Sequence, residues 1–348
     1  MEEISGILLD WYRLNRRSLP WRETRDAYRI WVSEIILQQT RVAQGLDYFL
    51  RFMERFPTVE LLADADEDEV MKLWQGLGYY SRARNLHAAS KQIVAMGGFP
   101  HTYEGVRALK GVGDYTASAI CSIAYGLPYA VVDGNVYRVL SRLYGVDTPI
   151  DSSAGKKEFA LLAKAMLGNH EPGEYNQAIM DFGALQCTPG VPDCSACPLC
   201  EYCSARAEGR VSELPVKGHK TVTKNRYFNY IYVRAGAYTY LNKRTGDDIW
   251  RNLYEFPLIE TEKEVGEEEF YSLPQLQGLL GGTPNPHFRL ICKGVKHVLS
   301  HRVIWANFYE LLLPEDTGLF ASYMRIREDE LETFPVSRLM SLFLEKKQ

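Results

Sequence analysis

The chain has 348 residues, 46% of them apolar, a length better divided between two cores than packed around one. No apolar run approaches the ~18 residues of a membrane-spanning helix. The acidic, amphipathic start at Met1-Glu2-Glu3 also argues against a secretory leader, so a soluble, cytoplasmic protein is expected. A net charge of −4 withholds the basic footprint usual for nucleic-acid binders: residues 1–210 hold 22 Lys and Arg against 26 Asp and Glu, and residues 211–348 hold 18 against 18. Six of those acids are Glu2, Glu3 and Asp66-Glu67-Asp68-Glu69, a chain end and a helix start that need not face DNA, so charge leaves DNA binding undecided.

In chain order, the spacing of apolar residues predicts helices over Ile4–Tyr12, Ile30–Val42, Val59–Trp74 and Arg82–Met96, with Gly76-Leu77-Gly78 as a turn between the last two. Gly97-Gly98-Phe99-Pro100 and Gly126-Leu127-Pro128 punctuate the following stretch. No sustained period-two alternation occurs before about residue 186, so this half is expected to be all-α. A cysteine-rich segment follows, then a polar, basic stretch from Arg210 to Asn225 that reads as a linker. Beyond it, Arg226–Arg234 and Val303–Leu313 are rich in aromatic and β-branched residues and predict strands, and Ser337–Glu345 predicts a closing helix. The second domain is therefore expected to be α+β, giving domains at 1–210 and 226–348 joined by a linker at 211–225.

Five of the seven cysteines crowd between Cys187 and Cys203. Cys187-x6-Cys194-x2-Cys197-x5-Cys203 sets four thiolates on a loop broken by Pro189, Gly190, Pro192 and Pro198, which cannot be a regular element and needs something to hold it. Four thiolates suit tetrahedral zinc or an iron–sulfur cluster, and Cys200 offers a second, evenly spaced ladder with Cys194, Cys197 and Cys203. In Leu109-Lys110-Gly111-Val112-Gly113-Asp114-Tyr115-Thr116-Ala117, two glycines permit a tight turn whose following helix start can face an anion; taken alone these residues read first as an ordinary interhelical turn. Glu34 has Ile30, Trp31, Ile35 and Leu37 as helical neighbours, so burial is expected to raise its pKa, as a general acid requires; pairing with a nearby arginine is the alternative. Asp133, before a helical run of Val136, Val139, Leu140 and Leu143, suits either an N-cap or a functional carboxylate.

Ser33-Glu34-Ile35-Ile36-Leu37-Gln38-Gln39-Thr40 and Val132-Asp133-Gly134-Asn135-Val136, together with the Cys spacing and the glycine turn, resemble the MutY family of the endonuclease III, or helix-hairpin-helix, superfamily. That resemblance implies an all-α glycosylase domain with an iron–sulfur loop followed by an α+β Nudix-like domain. It also implies a 4Fe-4S cluster on Cys187, Cys194, Cys197 and Cys203, with Cys200 outside the pattern. The implied activity is excision of adenine mispaired with 8-oxoguanine or guanine in double-stranded DNA, in base excision repair. Glu34 would protonate adenine N7, and Asp133 would stabilise the cationic sugar with Asn135 beside it. Tyr115 stands where bifunctional members carry a lysine, which implies a monofunctional, hydrolytic enzyme. Trp21 and Arg22, in Leu19-Pro20-Trp21-Arg22, and Gln177 would line the adenine pocket. Gln39, Thr40, Leu77 and Tyr79 would wedge into the duplex, and the amides around Gly111 and Gly113 would hold a phosphate, which suits an acidic chain.

The resemblance extends to His297-Val298-Leu299-Ser300-His301-Arg302, similar to the lesion-reading loop of these enzymes: Ser300 would bond 8-oxoguanine and His301 approach the backbone, while Leu299 departs from the family's usual Phe. No Nudix box is present, since Glu267-Glu268-Glu269 lacks the Arg-Glu-x-x-Glu-Glu setting, so lesion recognition without nucleotide hydrolysis is expected. A mismatch or oxidised-pyrimidine glycosylase of the same superfamily is the nearest rival, against which the Gln-Gln-Thr helix and the second domain count; a non-catalytic iron–sulfur DNA-binding module is another, against which the pair Glu34 and Asp133 counts. A monomer is expected, with no membrane association.

Overall fold

A computed structural model describes residues 1–218, 222–281, 286–315 and 317–347 of the chain. The described residues form two compact units, Met1–Asp64 with Asn85–Lys220, and Ala65–Arg84 with Thr221–Gln348. No helix among them is long and apolar enough to cross a membrane.

The first unit is all-helical, as the periodicity predicts. Its centre is the Ala27–Leu37 helix, in which Ala27, Tyr28 and the whole run from Ile30 to Ile36 are buried. Such a helix needs partners on every side, and the Val42–Arg55 and Asp114–Tyr125 helices pack against it. Asp26 caps its start by accepting from the Tyr28 amide at 2.9 Å. The run predicted as one helix from Ile30 to Val42 is broken: it stops at Leu37, Gln39 takes a left-handed φ of 57°, and a new helix begins at Val42. The apolar period survives such a break because both helices bury the same kinds of residue, so period alone does not show it. The Val59–Trp74 stretch divides likewise, into Val59–Asp64 of the first unit and Glu67–Leu73, which belongs to the second. The Pro172–Leu185 helix packs on the Glu2–Asn15, Asp114–Tyr125 and Gly134–Tyr144 helices. Gly183 makes the last of these contacts possible, because a Cβ there would lie 2.7 Å from Asn135 Cβ.

The second unit is built on a mixed sheet: β1 (Lys224–Ala235), β2 (Tyr238–Lys243), β3 (Tyr254–Glu255), β4 (Leu258–Thr261), β5 (His287–Val298), β6 (Arg302–Leu313) and β7 (Met324–Arg327). β1 and β6, the two predicted strands, run parallel from Lys224↔Arg302 to Ala235↔Leu313, while β4 and β2 pair antiparallel with β1, and β5 with β6. Strands covered on both faces read as continuous apolar runs, and Tyr230, Ile231, Tyr232 and Val233 are each fully buried. On one face Ile231, Val233, Tyr309 and Leu311 pack with Phe270, Leu276 and Leu280 from two short helices. On the other, Phe343 of the Arg338–Lys347 helix stacks on Phe308 with ring centroids 4.3 Å apart.

Candidate active site

In the first unit one cavity of about 690 Å³ is lined by Trp21, Arg22, Glu34, Gln39, Thr40, Tyr115, Asp133, Asn135 and Gln177, nine of the residues singled out from the sequence. That volume lies within the ~300–1,000 Å³ typical of small-molecule sites. Glu34, 8% exposed, accepts a 2.8 Å hydrogen bond at Oε2 from the Tyr115 hydroxyl. Burial pushes the Glu34 carboxyl up to about 7; the Tyr115 bond and the Arg22 charge oppose the rise, and the nearby Asp133 carboxylate adds to it. Arginine pairing is therefore not the arrangement: among the described residues Glu34 forms no ion pair, and its partner is a phenol. Burial and the Glu34 charge raise Tyr115 far above the ordinary phenol, so it stays a neutral donor.

Asp133 is an N-cap, one of the two readings its position allows, and its carboxylate also reaches the cavity. It caps the Gly134–Tyr144 helix, accepting at Oδ1 from the Asn135 and Val136 amides at 2.9 and 2.8 Å, and it lines the cavity. The Asn135 side-chain amide donates to Oδ2 at 2.9 Å. Burial raises the Asp133 carboxyl, while these bonds and the Arg138 charge hold the rise back. Asn135 is itself fixed by Arg138, which donates to its Oδ1 at 2.9 Å and to the Gly183 and Cys187 carbonyls at 2.6 and 2.8 Å.

Gln177 accepts from the buried Tyr12 hydroxyl at 2.8 Å. Arg22 and Arg17 both bind the fully buried Asp181 carboxylate. Tyr12, Arg138 and Asp181 escaped the sequence reading. The signal available for Asp181 was an acid one turn beyond Gln177, set within the apolar run Ala178-Ile179-Met180-Asp181-Phe182, since a buried charge requires a cation. Gln39, exposed, carries its positive φ at the cavity's rim; backbone strain of this kind concentrates at functional sites.

Gly111 and Gly113 lie outside this cavity, at the turn before the Asp114–Tyr125 helix, and their needs differ. Gly111 has φ 77°, and a Cβ would meet Asn85 Cβ at 2.6 Å, so no other residue fits. Gly113 has an ordinary φ of −94° and open space around it, so the expectation of two special turn glycines holds for Gly111 alone. An uncovered backbone at the helix start is what Gly113 supplies.

Cys187, Cys194, Cys197, Cys200 and Cys203 line one small cavity of the first unit, all of them free and partly buried. Burial pushes the Cys197 thiol up to about 11, and Cys187, Cys203 and Cys194 each raise it further. Arg142 closes the loop, donating to Cys187 Sγ at 3.4 Å and to the Thr188 and Leu214 carbonyls at 2.9 and 3.1 Å. Among the described residues no group of three or more His, Cys, Asp or Glu could hold a metal ion as the side chains stand.

The remaining predicted residues belong to the second unit. Leu77, Tyr79, Leu299, Ser300 and His301 share a cavity with Trp250 and His297. The Tyr79 hydroxyl and Ser300 Oγ are 2.5 Å apart, with both residues exposed. Tyr79 has φ 46°, a second strained non-glycine position, whereas Leu77 is buried. The β5–β6 turn that presents Ser300 is closed by the Leu299 amide donating to the Arg302 carbonyl at 2.8 Å.

Residues 32–164 match the family described as "HhH-GPD superfamily base excision DNA repair protein", and residues 229–346 match the "NUDIX domain" family. The chain is similar to a solved thermostable thymine-DNA glycosylase, with a TM-score of 0.55 and 27% identity over 59% of this chain and 95% of that one. The fold is thus an all-α helix-hairpin-helix glycosylase domain followed by an α+β Nudix-like domain. It is 43% identical over 224 residues to the adenine DNA glycosylase of Homo sapiens, covering 61% of this chain and 41% of that protein. With the adenine DNA glycosylase of Buchnera aphidicola subsp. Schizaphis graminum, identity is 35% over 260 residues, 74% of this chain and 75% of the relative. On that coverage the chain is an enzyme of the adenine DNA glycosylase family.

Proposed function

We propose that this enzyme excises adenine mispaired with 8-oxoguanine or guanine from double-stranded DNA, hydrolysing the N-glycosidic bond in base excision repair without cutting the strand. What chiefly supports this is a carboxyl holding its proton to about pH 7 at Glu34 in the same cavity as Asp133. Glycosidic bond cleavage needs one carboxyl that keeps its proton to donate and a second that can bear charge as the sugar becomes cationic. Glu34 donates its proton to adenine N7, and the bond from N9 to C1′ breaks with its electron pair passing to the base. The cationic sugar is stabilised by Asp133 as the charge develops. Water then adds to C1′ and yields its proton to the Glu34 carboxylate, restoring the acid. Tyr115 donates to Glu34 and offers no amine, so no Schiff base forms. Trp21, Arg22 and Gln177 line the base pocket; an amide can pair bidentately with adenine.

Extrusion of the base requires wedging, at a cost of a few kcal/mol. Gln39 and Thr40 at the cavity of Glu34, and Leu77 and Tyr79 at the cavity of the second unit, are assigned to it. Ser300, His301 and Leu299 are assigned to the lesion, and the amides around Gly111 and Gly113 to a phosphate. The boundaries 1–210, 211–225 and 226–348, and a monomeric, cytoplasmic state, belong to the same reading.

Cys187, Cys194, Cys197 and Cys203 would hold a 4Fe-4S cluster. Their thiols share one cavity, and the Arg142 cation donates to Cys187 Sγ at 3.4 Å, company that suits a thiolate ligand. Bound there, the cluster would stiffen the loop and aid docking on DNA. Iron and sulfide with a broad absorbance at the blue end are expected from the purified protein; zinc in their place overturns this assignment.

The activity is tested with duplexes carrying adenine opposite 8-oxoguanine, guanine, cytosine or thymine, and thymine opposite guanine, each followed by alkaline cleavage. Cleavage at adenine opposite 8-oxoguanine, then guanine, is expected. Cleavage at thymine alone would favour a mismatch glycosylase of the thymine type.

A further inference from the structure

Asp181 is the most heavily bonded buried charge of the first unit. Its carboxylate is inaccessible to solvent, while Arg17 and Arg22 are 28% and 10% exposed. Arg22 grips it with both terminal nitrogens, Nη2 donating to Oδ1 at 2.7 Å and Nη1 to Oδ2. Arg17 adds Nε to Oδ1 at 2.9 Å, a terminal nitrogen to the same oxygen, and its own backbone amide to Oδ2 at 3.3 Å. Both arginines line the cavity that holds Glu34 and Asp133, and Asp181 does not. The Arg22 guanidinium also lies 5.9 Å from the ring centroid of Tyr12, whose hydroxyl binds Gln177, four residues before Asp181 on the same helix. One buried carboxylate therefore fixes two flexible cations at the wall of the base pocket.

We propose that Asp181 is a positioning residue of the base pocket, holding the Arg17 and Arg22 side chains at its wall and thereby setting how the base is seated beside Glu34; this rests on the glycosylase reading above. Each arginine has several rotatable bonds, and an unanchored guanidinium would sample solvent and approach Glu34 freely. A bidentate fork on a buried partner removes that freedom before a base arrives. Misplacement by about 1 Å of groups that orient a substrate can slow a reaction by about 100-fold.

The test is single-turnover base release from a duplex with adenine opposite 8-oxoguanine, run over a range of enzyme concentration so that affinity and chemical rate separate, with melting followed in parallel. Asp181→Asn should slow the chemical rate by about 10- to 100-fold while duplex affinity changes far less. The double variant with Arg22→Ala should be no slower than Arg22→Ala alone, because both changes remove one arrangement. A folded Asp181→Asn protein at the wild-type rate, or losses that multiply in the double variant, would overturn the proposal and leave the glycosylase reading intact. A wild-type protein that releases no adenine overturns that reading, and this one with it. If Asp181→Asn does not fold, Arg22→Lys decides: it keeps the charge and loses the fork. A rate at least tenfold lower at unchanged melting supports the anchor, and the wild-type rate excludes it.

Discussion

Glu34→Gln should stabilise this protein at alkaline pH while abolishing its activity. The folded Glu34 carboxyl keeps its proton up to about 7, whereas an ordinary glutamate releases it near 4.5. Between these values the native state binds more protons than the unfolded chain, so stability falls as pH rises through that window. At ~1.4 kcal/mol per pH unit, the gap represents a penalty on the order of 3 kcal/mol once the native carboxyl is ionised. Glutamine carries no charge and escapes the penalty. Its amide brings a cost of its own through imperfect hydrogen bonding, but that cost is the same at every pH. The stability of Glu34→Gln relative to wild type should therefore rise by about 2–3 kcal/mol between pH 5 and pH 8. Denaturant unfolding followed by tryptophan fluorescence at the two pH values reads this difference directly. A relative stability that is flat with pH, or that falls, would refute the buried-acid account of Glu34. In single-turnover assays the same variant should lose at least ~100-fold in base release, the usual contribution of a general acid. Such opposition between stability and activity is what a charge held in a costly place produces.

The wild-type rate should fall about tenfold per pH unit well above pH 7, as the competent protonated form is depleted; a pH-independent alkaline limb would move the acid elsewhere. Asp133→Asn should keep the helix cap, since Asn caps as well as Asp, and still lose at least ~100-fold in base release through the missing charge. Loss of stability with retained rate would leave Asp133 as a cap alone. Gly111→Ala should destabilise by about 1–3 kcal/mol through its left-handed backbone and weaken duplex binding in a filter or gel assay, whereas Gly113→Ala should leave the melting point unchanged. Ser300→Ala should cut the preference for 8-oxoguanine over guanine opposite adenine by about tenfold, the worth of one hydrogen bond; unchanged discrimination places lesion reading elsewhere.

Much of this site is legible in the sequence because its chemistry requires rare combinations. An acid inside an apolar helix, an Asp at a helix start and four crowded thiols each stand out from their neighbours. The meeting of the two acids with Tyr115 and Gln177 in one cavity does not, because Glu34, Tyr115, Asp133 and Gln177 are far apart along the chain. The bond from Tyr115 to Glu34 spans 81 residues, and Arg22 to Asp181 spans 159. Apolar period reports burial and is blind to which buried group faces which, so Tyr12, Arg138 and Asp181 pass unnoticed. The break between Leu37 and Val42 is hidden for a related reason: its left-handed residue is Gln39, where a glycine would have announced the turn. Tyr79 conceals its own strained backbone in the same way. In the second unit the long strands β1 and β6 are visible as aromatic, β-branched runs, while the two-residue β3 carries no pattern at all.

Product analysis after one turnover tests the central claim most directly. A duplex with adenine opposite 8-oxoguanine should yield free adenine and an intact strand bearing an abasic site, cut only after alkali, with nothing trapped by borohydride. A strand cut before alkali, a borohydride-trapped adduct, or a released base other than adenine would contradict it.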